Sequence, residues 1–64
     1  MKVAIFTRLG SPELRAITAI VPYNGDLFEF LSVEWRALAR RADASQTGTC
    51  REGNMMVEVK DEAS

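Results

Sequence analysis

Cys50 stands next to Arg51, the one place in the chain where a thiol and a cation adjoin, and a nearby cation pulls a thiol toward its reactive thiolate. The sequence contains no histidine, so no conventional base stands ready to activate that thiol, and an incidental loop cysteine is the expected reading. The carboxylates Glu13, Asp26, Glu29, Glu34, Asp43, Glu52, Glu58, Asp61 and Glu62 are scattered without metal-loop spacing and read as solvated surface charge. The segment T-R-L-G-S-P-E has the outline of a phosphate-binding turn but lacks its glycine spacing, and the chain is too short for a doubly wound sheet. No metal, no cofactor and no catalytic residue is predicted, and a non-enzymatic role is expected.

Binding chemistry has better material. Arg36 and Arg40 lie one turn apart on one face of an amphipathic stretch, a like-charge pair that costs an isolated helix ~0.2 to 0.5 kcal/mol. Asp43, three residues beyond Arg40, can relieve it. With Arg51 these arginines would form a small basic patch for phosphates or an acidic protein surface; the plainer reading is a solvated, partly ion-paired face. Trp35 reads as core, and Met55 and Met56 as packing.

The helix that carries these arginines is the surest element. Over 32–43, Trp35, Leu38, Ala39 and Ala42 recur at i, i+3, i+4 and i+7. Ser32 suits an N-cap, accepting an amide near Glu34 or Trp35, and Arg40 and Arg41 suit the C-terminal end of the helix dipole. Residues 2–9, with Val3, Ile5, Phe6 and Thr7, predict a strand, and a turn cluster follows at Gly10, Ser11, Pro12 and Glu13. Residues 14–23 predict a second strand from the β-branched Ile17, Thr18, Ile20 and Val21, with a helix starting at Ser11 as the rival.

Asn24-Gly25 matches a type I′ hairpin turn and predicts a third strand over 26–31. The rival is one long helix over 27–43, N-capped by Asp26. The hairpin register would set Val21 against Phe28, Ala19 against Phe30 and Pro22 against Leu27. Residues 44–54 read as an exposed loop, and 54–60 alternate as an edge strand in which Glu58 and Lys60 discourage further pairing.

The expected fold is therefore α+β: a small antiparallel sheet in the order β-β-β-α-β with one amphipathic helix packed on one face. Residues 1–60 form one domain and 61–64 a frayed acidic tail. One sheet face collects Ala4, Phe6, Ile17, Ala19, Val21, Phe28 and Phe30, and the other Val3, Ile5, Ile20, Leu27 and Leu31. Both are apolar, while the helix can cover only one. The uncovered face is expected to meet another protein or a second subunit in a homodimer.

A chain of 64 residues with a single cysteine can form no internal disulfide, which leaves self-association as a means of adding stability. No apolar run approaches the ~20 residues of a membrane span, and the lone thiol suits a reducing compartment, so the chain reads as cytoplasmic. A net charge of -1 argues against a dedicated nucleic-acid-binding domain.

These features favour a small non-catalytic protein-protein interaction module, an inhibitor or adaptor of the kind phages and mobile elements use to block a host protein. The expected partner-binding residues are Arg36, Arg40, Arg51, Ile20, Leu27 and Leu31. The alternative is a dimeric nucleic-acid-binding regulator that places the helix arginines on phosphates; its binding would weaken steeply with salt.

Overall fold

The computed structural model describes residues 1–10 and 17–62. Four strands and two helices follow in the order β1 (Lys2–Arg8), β2 (Ile17–Pro22), α1 (Asp26–Glu29), α2 (Val33–Ala44), β3 (Thr49–Glu52) and β4 (Met55–Asp61). The strands form one antiparallel sheet in the order β2-β1-β4-β3, so the first and last strands pair at its centre. The class is α+β with one main helix, as expected. No helix of the described residues is long and apolar enough to cross a membrane.

The element order differs from β-β-β-α-β in two places. The expected third strand is the single helical turn α1. Asn24 takes φ 60, but Gly25 takes φ -81 and an extended ψ, whereas a type I′ hairpin needs positive φ at both positions. The Gly25 amide instead donates to the Pro22 carbonyl at 3.1 Å, and the Gly25 carbonyl accepts from Phe28, so the chain turns into a helix. The pairings of Val21 with Phe28, Ala19 with Phe30 and Pro22 with Leu27 therefore do not form. The rival long helix is also absent, because the chain breaks at 30–32 before α2 begins.

The second difference is that the 44–54 stretch contains a strand, β3, paired to β4. Its hairpin turns at Gly53 and Asn54, with Gly53 at φ 58, the pattern of a turn whose first central residue is glycine. The turn expected at 11–13, the strand start at 14–16 and the rival helix from Ser11 lie outside the described residues. At the other end β4 runs through Asp61, and the Glu62 amide donates to the Met1 carbonyl at 2.7 Å; the rest of the expected tail, Ala63 and Ser64, lies outside the described residues.

α2 bears out its pattern. Ser32 Oγ accepts from the Trp35 amide at 3.3 Å, and Leu38, Ala39 and Ala42 are buried. They pack on Ala4, Phe6, Val57 and Val59, with Phe28 of α1 closing the core. Phe28 is fully buried, its ring 5.1 Å from Tyr23 and 6.4 Å from Phe6.

The parity of β1 and β2 follows the expectation: Ala4 pairs with Val21 and Phe6 with Ala19 on the helix side, while Ile5 pairs with Ile20 on the other. Across β1 and β4, Val3 pairs with Lys60 and Ile5 with Glu58. The open face is therefore apolar mainly on the β1–β2 side, with Met56 of β4 beside the charged Glu58 and Lys60. Leu27 and Leu31 are not part of it, since α1 and the link after it lie in the helix layer.

Candidate interaction surface

The helix layer is uneven. α2 packs against β3 and β4, while α1 packs against β2. Between them the link 30–32 is short, with the Phe30 and Leu31 amides donating back to Leu27 and Phe28 to finish the turn. Since Phe28 takes the inward position, its neighbours are turned out: Leu27 is 62% exposed, Phe30 86% and Val33, at the start of α2, 70%. Spaced by three along the chain, they make the α1–α2 junction a strip of exposed apolar residues in sequence.

Leu31, which follows Phe30, lines an apolar groove of about 220 Å³ together with Phe6, Arg8, Ala19 and Trp35. Trp35 stands edge-on to Phe6, centroids 5.5 Å apart, and the Arg8 guanidinium lies 5.5 Å from the Trp35 ring centroid. Trp35 thus both packs on the core and lines the groove. The core packing is what its place in the stripe predicts, but the residue is only half-buried.

The six expected partner-binding residues do not converge. Arg36 Nη1 donates to Glu29 Oε2 at 3.3 Å, tying α2 to α1. Arg40 Nη1 donates to Asn24 Oδ1 at 3.1 Å and its guanidinium lies 5.4 Å from the Phe28 ring, so it braces the turn after β2. Arg51 sits on β3, its Nε donating to the Gly53 carbonyl at 3.1 Å. These arginines are engaged within the molecule, and Asp43, expected to relieve Arg40, pairs with Lys2 of β1 at 2.9 Å. That contact raises the Lys2 ammonium above its ordinary value, through the hydrogen bond first and the charge second.

Ile20, 60% exposed, is on the open sheet face, away from the helix layer. Leu27 belongs to the strip. Leu31 packs against the core while lining the groove. Phe30 and Val33 were missed by the sequence reading, although Val33 falls off the α2 stripe of Trp35, Leu38, Ala39 and Ala42 and so had no inward position to fill.

Cys50 is half-buried on the helix side of β3, packed against the core, and Arg51 turns to the opposite face. The strand separates the cation from the thiol it adjoins in sequence. Several carboxylates are held in surface ion pairs: Glu29 with Arg36, Asp43 with Lys2, Glu52 with Arg41 at 3.4 Å, and Asp61 with the N-terminal amine at 3.0 Å.

No protein-family model, curated protein or solved structure matches this chain.

Proposed function

We propose that this chain is a non-catalytic protein-protein interaction module, an inhibitor or adaptor that works by covering part of a partner's surface. The observation that carries this reading is the exposure of Leu27, Phe30 and Val33, three large apolar side chains more than three-fifths exposed within seven residues, with the intervening Leu31 lining an apolar groove. An aromatic anchor such as Phe30 gains most by entering a pocket on a partner, and the groove can take an anchor in return. The arginines are engaged within the molecule, Arg36 with Glu29, Arg40 with Asn24 and Arg51 with Gly53, which gives the phosphate-binding alternative less support than the apolar surface.

A pull-down comparing the native chain with a Leu27→Glu, Phe30→Glu double variant tests the proposal. Both side chains point into solvent, so the variant should melt within a few degrees of the native chain. It should lose the captured protein, and the native complex should persist at high salt, as apolar contacts do. Equal capture by the variant, or release of the partner by salt alone, would overturn this reading. Leu31→Glu is unsuited to the test, because Leu31 contributes to the core.

A further inference from the structure

The two outer strands, β2 and β3, differ in what meets their outward backbone groups. The Tyr23 amide donates to the Lys2 carbonyl at 3.0 Å, which makes that pair a hydrogen-bonded one. Counting back along the register, Val21 and Ala19 turn their amides and carbonyls toward β1, while Pro22, Ile20 and Thr18 turn theirs away from the sheet. Proline fits this outward row, having no donor to leave unmet.

On the far side, the Val59 amide donates to the Gly48 carbonyl at 2.7 Å, so Thr49 and Arg51 form the outward row of β3. There the Thr49 amide donates to Ser45 Oγ at 3.1 Å, and the same hydroxyl lies 3.1 Å from the Thr49 carbonyl. The α2–β3 connection thus caps Thr49, the first outward residue of that edge. Among the described residues nothing does the same for Thr18 or Ile20.

We propose that the β2 edge pairs with β2 of a second copy of this chain, antiparallel about a two-fold axis at Ala19, joining two sheets into one. The edge is self-complementary. With Ala19 opposite Ala19, Thr18 of each copy faces Ile20 of the other, and each outward amide meets an outward carbonyl. Ala19 occupies the non-hydrogen-bonded position, where paired strands approach to a Cα separation of about 4.5 Å, and its methyl group permits that approach. Centring on Ile20 instead would place Pro22 opposite Thr18 and leave each Thr18 carbonyl without a donor.

The pairing shelters Ile20, otherwise 60% exposed, beside the neighbouring β2. The β3 edge is the poorer pairing edge of the two, because the Ser45 hydroxyl already occupies the outward Thr49 amide. This surface is distinct from the α1–α2 strip, and the proposal stands or falls independently of the function proposed above.

Sedimentation equilibrium and backbone amide exchange on the whole chain test it. The native chain should reach twice 7.1 kDa as concentration rises, with the Thr18 and Ile20 amides protected alongside those of Ala19 and Val21. Thr18→Pro removes an outward donor without touching the β1 ladder. It should weaken the dimer about tenfold or more while Ala19 and Val21 stay protected, showing an intact sheet. Arg51→Pro, on the β3 edge, should leave the dimer as tight as before. A chain that stays monomeric at millimolar concentration overturns the proposal, as does a dimer whose Thr18 and Ile20 amides exchange freely or one that Thr18→Pro leaves unweakened. Protection of those amides in a monomer only when a peptide from another protein is added also overturns it.

Discussion

Phe28 shows how much one side chain can decide in a domain this small. It is fully buried, touches the aromatic rings of Phe6 and Tyr23, and turns Leu27 and Phe30 outward by occupying the inward position of α1. Phe28→Ala should cost about 3 to 5 kcal/mol. At ~0.05 to 0.15 kcal/mol per residue, that is much of the stability the whole chain can have. Urea unfolding would check it, and a loss under about 1 kcal/mol would show that α1 does not dock on the core. Neither sequence reading of this stretch identified its state. Phe28 and Phe30 alternate as a strand would, and Phe28, Leu31 and Trp35 repeat as a long helix would. The local pattern is compatible with both, and burial of Phe28 against β1 and β2 selects a single turn.

At the scale of elements, the two glycine-containing turns have opposite outcomes. Asn24-Gly25 carries the stronger hairpin signal, yet it opens a helix, whereas Gly53-Asn54 closes the only hairpin joining two neighbouring strands of the described residues directly. A dipeptide states which φ values are affordable, and the segment that follows decides whether they are used. Residues 55–59 alternate and can pair, while 26–31 have Phe28 to bury and a helix to lead into. The glycines of the β3 region also give a graded test. Gly48 has φ 74, and a Cβ there would stand 2.8 Å from the carbonyl oxygen of Val59, the residue whose amide donates to the Gly48 carbonyl. Gly53 has φ 58 with open space around it. Gly53→Ala should therefore cost about 1 to 3 kcal/mol, the positive-φ penalty alone, and Gly48→Ala distinctly more, because backbone must move as well. Equal losses in thermal unfolding would mean that the β3–β4 hairpin yields freely at Gly48.

For the whole molecule, the central pairing of β1 with β4 makes the fold depend on contacts between the two ends of the chain, reinforced by Lys2 reaching Asp43 at the end of α2. The raised Lys2 value sets the sign of its pH effect. Because the folded value exceeds the unfolded one, the stabilisation is complete below the ordinary lysine value of 10.5 and fades as pH rises through the raised folded value. Lys2→Met should flatten the alkaline limb of a stability profile above that pH and leave its slope near neutrality unchanged; an unaltered alkaline limb would show that the pair contributes nothing. The sequence by itself determined the α+β class, the α2 helix with its Ser32 cap and buried stripe, and which residues of β1 and β2 share a face. Those features follow from periodicity and from side chains interacting within a few positions of one another. Only the tertiary structure decided that β1 lies beside β4, that 26–31 is not a strand, that the arginines are tied to Glu29, Asn24 and Gly53, and that Phe30 is left outside. Each of those depends on a partner distant in sequence or on competition for one interior, and no local spacing encodes which contender reaches it first.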